Sequence, residues 1–269
     1  MLTTQVENFP GFPQGILGPE LMQNMKTQAE RLGATAIDED VVKVNFTRSP
    51  FLLQTQKTTY QARSCIIATG ASARWLGVPG EKQFIGRGVS SCAPCDALFF
   101  KDKKVAVIGG GDSAMEEALV LTKFASQITV IHRRNSFRAS RVLKQQVLHH
   151  PKVKVIWDTQ VVQILGGKKV TGLKLQTTAN SQPSWTMPIE GVFVAIGHTP
   201  NTGLFTNQID LDEKGYIKVK DHTQTNLPGV FVAGDVHDYH YRQAVTAAGF
   251  GCMAAMDVTK WLEAQETSS

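Results

Sequence analysis

The chain has 269 residues, which is enough for one large domain or two medium ones. Hydrophobic residues make up 42% of it and charged residues 19%, a composition typical of a globular protein. The net charge of +5 is scattered apart from two short basic clusters, so we expect no nucleic-acid binding, and no apolar run is long enough to predict a membrane span. Four cysteines are too few for a disulfide scaffold and the first residues lack a signal-peptide pattern, so a reducing, cytoplasmic location is expected.

The first part of the chain predicts one helix and several short strands. Turn-forming residues dominate positions 1–20, which indicates a surface loop. Pro19 suits a first helical position, and the apolar stripe that follows predicts a helix over residues 19–33. Short strands are expected at 36–46, 51–56, 59–62 and 64–70. The last of these ends at Gly70, and strands that end in this way often bring backbone close to a cofactor.

Two cysteines separated by two residues, Cys92 and Cys95, are followed directly by Asp96. Cysteines at this spacing can close a small disulfide ring that takes up and releases two electrons, and the adjacent acid can supply a proton. The spacing alone leaves a redox pair, metal ligands and structural thiols all open. Cys65 and Cys252 lie in apolar segments, so we expect both to be small core residues rather than reactive thiols.

The pattern from residue 103 to residue 134 is strand, turn, helix, strand. Residues 105–108 predict a buried strand, residues 109–114 match the fingerprint G-x-G-x-x-A, and residues 113–124 predict a helix before a second strand at 128–131. Gly109 permits the tight turn, Gly111 lets a pyrophosphate approach the backbone, and the start of the helix favours its charge. This context predicts a dinucleotide-binding site.

Basic residues at the end of the second strand indicate which dinucleotide binds. A site for NAD usually carries Asp or Glu here, whereas this chain has His132, Arg133 and Arg134, with Arg138 further along. Guanidinium groups bind a phosphate dianion through charge-assisted, paired hydrogen bonds. NADPH, with its 2′-phosphate, is therefore the favoured ligand, and a solvated basic loop is the alternative interpretation.

The rest of the chain predicts a helix at 138–149, mostly strands, and then one long helix. Strands are expected at 153–157, 160–165, 169–176, 184–188, 191–197, 215–219 and 229–233. The last strand leads into Gly234 and Asp235, and Asp235 can hold a polyol or ribityl hydroxyl group. Residues 241–263 predict a helix rich in small residues, which suits either a flat cofactor or simply a tightly packed core.

As an ordered set, these motifs resemble the low-molecular-weight thioredoxin reductases of bacterial and plant type. The resemblance runs along nearly the whole chain. The matching segments are Val6–Gly11, Ile67–Ala71, Cys92–Asp96, Gly109–Ala118, His132–Arg134 with Phe137–Ala139, Ala195–His198, Gly234–Val236, and Arg242–Ala244 with Ala247–Gly249.

The resemblance implies an α/β flavoenzyme with two Rossmann-like three-layer nucleotide-binding domains of the FAD/NAD(P)-linked disulfide reductase type. The FAD-binding domain would comprise residues 1–86 and 202–269, and the NADPH-binding domain, with the cysteines, residues 87–201. Electrons would pass from NADPH to FAD, then to the Cys92–Cys95 disulfide, then to thioredoxin. The family resemblance also implies a cytoplasmic homodimer, with no role for a metal, a membrane or a nucleic acid.

Residue roles carry over onto the matching positions. The resemblance implies that Cys95 is the thiol nearest the flavin, that Cys92 attacks the disulfide of thioredoxin, and that Asp96 is the acid-base group. The positions where the family contacts FAD are Asn8, Val41, Asp235, Arg242, Gln243, Ala244 and Val245. The positions where it contacts NADPH are Ser113, His132, Arg133, Arg134, Arg138, Ile196, Tyr216 and Arg242, beside Gly109 and Gly111.

The sequence departs from the family pattern at two places. Family members begin with a strand, a G-x-G-x-x-G turn and a helix that bind the FAD pyrophosphate, and no such unit precedes Met1, so we expect the first domain to be incomplete. In the cysteine motif, Pro94 stiffens the ring and removes an amide donor, and Ala97 stands where the family usually has glycine. The alternatives to a reductase are therefore a truncated, flavin-free NADPH-binding fragment or a regulatory homologue without turnover. A third alternative is a related flavin-dependent dithiol oxidase or peroxidase reductase. The basic cluster of residues 132–134 argues against relatives that use NADH or no nicotinamide.

Overall fold

The computed structural model describes residues 5–178 and 183–267 and divides into two compact units. The first unit takes the described residues up to Met25 together with Ala73–Gly197, and the second takes Lys26–Ser72 together with the described residues from His198 onward. The domain boundaries expected from the sequence, at 86/87 and 201/202, stay predictions.

The elements are numbered in chain order. The strands are β1 (Gln5–Val6), β2 (Ile16–Leu17), β3 (Val41–Asn45), β4 (Phe51–Thr55), β5 (Thr59–Ala62), β6 (Cys65–Ile67), β7 (Ala71–Ala73), β8 (Val89–Ser90), β9 (Lys104–Gly109), β10 (Gln127–Ile131), β11 (Val153–Ile156), β12 (Thr159–Gly166), β13 (Val170–Thr177), β14 (Trp185–Pro188), β15 (Gly191–Ala195), β16 (His198–Pro200) and β17 (Val230–Val232). The α-helices are α1 (Gly18–Arg31), α2 (Glu81–Phe84), α3 (Ala93–Asp96), α4 (Asp112–Thr122), α5 (Arg141–Leu148) and α6 (Ala244–Thr267), and short 3₁₀ helices cover Ala97–Phe100, Gly203–Phe205 and Gly234–Val236.

A parallel five-stranded sheet forms the centre of the first unit, in the order β11-β10-β9-β15-β8. Successive strand residues point to opposite faces. Val105 and Val107 of β9 therefore pack with α4, whereas Ala106 and Ile108 pack against the β12-β13-β14 sheet. Because both faces are covered, the central strands are largely apolar, as in residues 105–108 of β9 and 192–195 of β15. The unit has three layers: helices, parallel sheet and antiparallel sheet.

The second unit repeats this layering on a smaller scale. β6 and β17 pair in parallel, with Val230 opposite Cys65 and Val232 opposite Ile67. Val230 and Val232 share a core with the antiparallel β3-β4-β5 sheet, whereas Phe231 packs against α6. Both units therefore have the three-layer α/β arrangement predicted from the sequence.

The parallel sheet of the first unit gathers the predicted functional segments at one edge, because the carboxyl ends of its strands lie on the same side. β10 ends at Ile131, before the basic loop, and β9 ends at Gly109, where the glycine turn begins. β15 ends at Ala195, and β8 ends at Ser90, two residues before Cys92. Along this edge the order is basic loop, glycine turn, residue 196 and the cysteine pair.

The prediction of a strand at 215–219 is wrong. This segment contributes an isolated bridge between Leu211 and Ile217. The side chain of Asp212 accepts the backbone N–H groups of Lys214 and Tyr216 at 2.8 and 2.9 Å. These bonds close a tight turn, so the segment does not extend into a strand.

Residues 1–20, expected as a surface loop, include a short hairpin. Val6 of β1 lies opposite Ile16 of β2, and both pack with Leu21 of α1 in a small apolar cluster. This cluster stabilises a segment whose turn residues alone indicate a loop. Positions 1–4 of the predicted loop lie outside the described residues.

Cys252, expected in the core, is exposed instead. It lies two positions before the buried Ala254, and two helical steps turn a side chain by about 200°. Cys252 therefore lies away from the face of α6 that packs on β17. Cys65 is half-buried, and burial raises the pKa of its thiol to about 11.

Candidate functional site

A disulfide joins Cys92 and Cys95, whose Cα atoms lie 5.3 Å apart. Cys92 ends an extended segment and α3 begins at Ala93, with Pro94 in the first turn, where a residue without an N–H group fits. Ala97 has φ −55°, a helical value that alanine adopts freely, so glycine is not needed there. The pair is thus the oxidised form of a two-electron couple, and both cysteines are half-buried.

Asp96 ends α3, and burial raises the pKa of its carboxyl group. A hydrogen bond with Ser90 acts in the opposite direction, because it stabilises the carboxylate. The Ser90 hydroxyl is buried and also accepts the backbone N–H of Cys92 at 3.1 Å. A carboxyl group with a raised pKa keeps its proton closer to neutral pH, which suits an acid-base group for a thiol.

A second carboxyl group reaches the cysteine pair from α4. Oε2 of Glu117 accepts the backbone N–H of Ala93, in the peptide bond that joins Ala93 to Cys92. α3 packs against α4, and the Glu117 side chain is half-buried. The helix that begins at the glycine turn therefore also holds the backbone of the cysteine pair.

The glycine turn combines a tightly packed underside with an open upper side. A Cβ on Gly109 would lie 2.3 Å from the carbonyl oxygen of Ala195, and a Cβ on Gly110 would lie 2.3 Å from Cε1 of His132. At Gly111, by contrast, the structure places no heavy atom of the described residues within 4 Å of the Cβ position, apart from the adjoining backbone and the two chain neighbours. This open space next to the N-terminus of α4 fits the pyrophosphate of a dinucleotide.

The ring of His132 lies under the glycine turn in an aromatic cluster. Its ring centroid is 5.5 Å from that of Phe137 and 6.2 Å from that of Trp157. Burial lowers the pKa of His132 and the charges of nearby arginines lower it too, whereas hydrogen bonds with the backbone of Ser136 and Gly109 oppose the shift. Nε2 of the ring is buried without a hydrogen-bond partner in the part of the chain that the structure describes. The imidazole is therefore neutral at neutral pH and supports the turn from below.

The basic loop after β10 folds back onto the glycine turn. The N–H of Arg138 donates to the carbonyl of Gly110 at 2.7 Å, and the N–H of Ser140 donates to Oδ1 of Asp112 at 2.7 Å. These bonds keep the loop beside the start of α4. Three arginines of the loop are exposed to solvent: Arg133, Arg134 and Arg138. The structure thus brings the predicted phosphate-binding side chains to the predicted dinucleotide turn.

In the second unit, a buried acceptor follows β17. Gly234 has φ +73°, in the left-handed region that favours glycine, and Asp235 comes next. Oδ1 of Asp235 is buried and has no hydrogen-bond partner among the described residues. Burial raises the pKa of this carboxyl group, nearby Asp238 raises it further, and Arg242 opposes the rise. An unpaired buried acceptor of this kind fits the hydroxyl group of a polyol ligand.

The segment before α6 is organised by Asp238. Its carboxylate accepts the backbone N–H groups of residues 240–242 at 2.9 to 3.3 Å. Arg242 adopts φ +51°, so the chain turns here and α6 begins at Ala244 rather than at residue 241 as expected. The guanidinium group of Arg242 forms a hydrogen bond with the ring of His198.

The other expected FAD positions fall in both units. In the second unit, Val41 begins β3, while Gln243, Ala244 and Val245 lie at the start of α6, near Arg242 in the chain. Asn8 belongs to the first unit, in the turn between β1 and β2, so the structure does not group it with them.

The remaining expected NADPH positions are also divided. Ser113 lies in the first turn of α4, and Ile196 follows β15 at the sheet edge with 38% of its surface exposed. Tyr216 belongs to the second unit, where it is buried and packs against Tyr239 with ring centroids 5.6 Å apart.

Three residues at these sites were not identified from the sequence: Ser90, Glu117 and His237. Ser90 accepts the backbone N–H of Cys92, and Glu117 accepts that of Ala93, between the two cysteines. His237 has a buried Nε2 without a hydrogen-bond partner among the described residues. Glu117 lies inside the segment of the glycine motif, 22 residues after Cys95. This spacing does not predict a contact with the cysteine motif, because the contact arises only from the packing of α3 against α4.

Comparison with known proteins gives one family and many close relatives. The model of the pyridine nucleotide-disulphide oxidoreductase family matches residues 1–251. The thioredoxin reductase of Streptomyces coelicolor is 50% identical over 266 residues, covering 98% of this chain and 82% of the relative. That of Rickettsia bellii is 50% identical over 266 residues, covering 97% of this chain and 86% of the relative.

Solved structures also match nearly the whole chain. The thioredoxin reductase from Giardia duodenalis matches with a TM-score of 0.91 at 41% identity, covering 97% of this chain and 86% of that chain. The thioredoxin reductase from Streptococcus pyogenes matches with a TM-score of 0.91 at 40% identity, covering 97% of this chain and 85% of that chain. Along the described residues, no helix combines the length and apolar character that crossing a membrane requires.

Proposed function

Because this chain belongs to the thioredoxin reductases, within the pyridine nucleotide-disulphide oxidoreductase family, we propose that its Cys92–Cys95 disulfide carries electrons from NADPH and FAD to thioredoxin. The observation that carries this proposal is the position of the disulfide at the same sheet edge as the glycine turn and the basic loop. The family uses FAD and NADPH. When bound, NADPH supplies a hydride, and FAD relays the electron pair to a disulfide.

We assign NADPH binding to the turn and loop of the first unit. The open space at Gly111 and the start of α4 would hold the pyrophosphate, with Ser113 in the first helical turn. The exposed guanidinium groups of Arg133, Arg134 and Arg138 would hold the 2′-phosphate. The further contacts of this proposal are His132, which supports the turn, Ile196, Tyr216 and Arg242.

We assign FAD binding to residues on both sides of the turn that precedes α6. The unpaired Oδ1 of Asp235 would accept a ribityl hydroxyl group. Residues 242–245, where the helix begins, would contact the rest of the cofactor together with Asn8 and Val41. The buried, partnerless acceptor supports this assignment because an empty hydrogen-bonding position in a protein interior is costly unless a ligand fills it.

The chemistry assigned to the cysteines is thiol–disulfide exchange. Two electrons and two protons convert the Cys92–Cys95 disulfide into two thiols. The thiolate of Cys92 then attacks one sulfur of the thioredoxin disulfide, forming a mixed disulfide, and the thiolate that leaves thioredoxin takes a proton from Asp96. Cys95 then gives its proton to the Asp96 carboxylate and attacks Sγ of Cys92 as a thiolate. The thioredoxin sulfur that is displaced takes from solvent the proton that Cys92 had released, so thioredoxin leaves as a dithiol and the Cys92–Cys95 disulfide is restored.

The proposal extends to thioredoxin as the protein substrate, a homodimeric assembly and a cytoplasmic location, as the family resemblance implies. Sedimentation equilibrium of the purified protein tests the assembly, and localisation of a tagged chain in its own cell tests the compartment. A monomer in the presence of FAD would contradict the dimer.

The central experiment measures flavin and turnover in the same sample. After incubation with FAD and removal of unbound FAD by gel filtration, the purified protein should retain flavin absorbance and should reduce thioredoxin at the expense of NADPH. Replacing Cys92 or Cys95 by Ser should abolish thioredoxin reduction and leave NADPH binding intact, whereas Cys252→Ser should change neither. NADPH binding without flavin absorbance or turnover would refute the proposal and favour a flavin-free NADPH-binding role.

A further inference from the structure

The contact between Glu117 and Ala93 places a carboxylate one peptide unit from Cys92. The exchange steps described above do not use this carboxylate. From its position we propose that Glu117 is a positioning residue that keeps the reduced Cys92–Cys95 pair in its thiol form at neutral pH.

Two effects of the contact act in the same direction. A negative charge close to a thiol disfavours the thiolate, because like charges repel. The contact also occupies the N–H of Ala93, a donor that would otherwise be available to a thiolate on the adjacent residue. Because Glu117 is half-buried, solvent and salt screen its charge less than they screen the charge of an exposed residue.

The other ionisable groups on or beside the elements that pack against the pair are of both signs. Asp96, on α3 itself, is a second acid, so its ionised form also disfavours a thiolate. From β8, the neighbouring side chain is the uncharged Ser90. From α4, Asp112 and Glu116 are acidic and exposed. The 3₁₀ helix Ala97–Phe100, which also packs on α3, carries no charged side chain, and Lys103 beyond it donates to the carbonyl of Phe99. Among these groups, Glu117 is bound to the backbone between the two cysteines.

The inference rests on the proposed role of the cysteines as a redox pair, and its test separates the two claims. The reduced protein is labelled with iodoacetamide across a range of pH, and the label is read by mass spectrometry on tryptic peptides. Residues 88–101 carry both Cys92 and Cys95, while Cys65 and Cys252 fall on separate peptides, 64–74 and 243–260. Neither FAD nor NADPH is needed for this measurement.

We compare Glu117→Gln with Glu116→Gln. The first removes the charge and keeps an oxygen that accepts the N–H of Ala93. The second removes the same charge from the exposed neighbouring position on α4. Glu117→Gln should move the midpoint of the labelling profile of peptide 88–101 to lower pH and speed labelling at pH 7 about threefold, because more thiolate forms although each thiolate is less nucleophilic. Glu116→Gln should leave the profile unchanged.

Two results overturn the inference. One is a Glu117→Gln profile identical to that of the unmodified protein while slow labelling of Cys65 shows that the fold is intact. The other needs no variant: a pair whose thiol pKa in the unmodified protein lies well below the ordinary value of about 8.5 is not held in the thiol form.

A separate reaction tests the redox pair itself. Oxidised glutathione should convert the two thiols of the reduced protein into the Cys92–Cys95 disulfide and two molecules of reduced glutathione. Failure of this reaction would count against the proposed function. If the disulfide forms and Glu117→Gln has no effect, only the inference about Glu117 fails.

Discussion

Gly110 and His132 occupy adjoining space at the edge of the parallel sheet, where a Cβ on Gly110 would lie 2.3 Å from the histidine ring. The ring cannot retreat, because Phe137 and Trp157 pack against it. The same turn is open on its other side, at Gly111, where no described atom apart from the adjoining chain lies within 4 Å of the Cβ position. One glycine therefore serves packing within the protein and the other serves access for a ligand.

Gly110→Ala should reduce both stability and NADPH binding. The added methyl group must displace the His132 ring or the turn, and overpacking of this kind costs about 1–3 kcal/mol. We expect a lower midpoint of thermal unfolding by scanning calorimetry. NADPH affinity, measured by isothermal titration, should fall on the order of tenfold or more because the turn moves.

Gly111→Ala is the matched control for that prediction. Its φ of −96° suits any residue, and the methyl group would project into open space, so thermal stability should be unchanged. The methyl group would nevertheless occupy the position proposed for the pyrophosphate, so NADPH binding alone should weaken. Equal losses of stability in both variants would contradict the distinction.

Replacing Arg133 and Arg134 together by Ala should change the preference between the two nicotinamide cofactors. Both side chains are exposed and directly follow His132, whose ring packs under the glycine turn. NADPH differs from NADH by the phosphate that these arginines are proposed to bind. Loss of charge-assisted hydrogen bonds should raise KM for NADPH about tenfold to a hundredfold and leave KM for NADH nearly unchanged. Arg141→Ala, at an exposed position on α5, should affect neither constant. Equal increases for both cofactors would refute the phosphate assignment.

Most of the fold could be predicted from the sequence because its signals are local. The apolar strand at 105–108 and the helix after the glycine turn are set by periodicity and by turn residues, and both appear within two residues of the expected bounds. The strand expected at 215–219 failed because the side-chain oxygen of Asp212 closes a turn, a competition that apolar periodicity does not register. The late start of α6 has the same cause, since Asp238 binds the backbone N–H groups of residues 240–242.

The candidate site was predictable only where a motif carries the chemistry. Cys92, Cys95 and the glycine turn belong to short motifs, and their meeting at one edge follows from parallel strand order. Glu117 could not be found in this way, because its role depends on α3 packing against α4. The buried position of His132 is likewise a consequence of packing beneath the turn, although the same residue was expected from the motif as a cofactor contact.

Leu98 and Phe99 should support docking of a protein substrate next to the disulfide. They lie three and four residues after Cys95 and are 50% and 40% exposed, whereas their neighbours Ala97 and Phe100 are buried. Exposed apolar side chains of this size commonly mark an interaction surface. Replacing both by Ala should raise KM for thioredoxin about fivefold to thirtyfold, which corresponds to on the order of 1–2 kcal/mol, and should leave the reduction of a small aromatic disulfide unchanged.

Leu148→Ala provides the comparison for that docking surface. Leu148 ends α5 and is 49% exposed. Its truncation removes a similar apolar side chain at a position that is distant from the cysteines in the sequence. KM for thioredoxin should not change in this variant. If the small disulfide is affected as strongly as thioredoxin by the changes at Leu98 and Phe99, those residues act on the disulfide itself and not on docking.

Asp96→Asn should have opposite effects on stability and on activity. Burial raises the pKa of Asp96 in the folded protein, so the protonated form is favoured by folding. The resulting stability is fully present below the pKa of the unfolded chain and is lost as the pH rises through the raised, folded-state pKa. Asn carries no charge at any pH and keeps an oxygen for the hydrogen bond with Ser90. The variant should therefore match the unmodified protein in urea unfolding at pH 4 and exceed it in stability at pH 8.

The same variant should lose activity, since it gains stability by giving up the proton that the leaving thiolate needs. Reduction of thioredoxin should slow by about a hundredfold or more, the usual contribution of a positioned acid-base group. In the unmodified enzyme the rate of the exchange step should fall as the pH rises through the raised pKa of Asp96, and this limb of the profile should be absent from Asp96→Asn. Asp102→Asn, an exposed acid six positions along the chain, should reproduce neither effect. A variant that is more stable at pH 8 but keeps full activity would show that Asp96 is buried for packing and is not the proton donor.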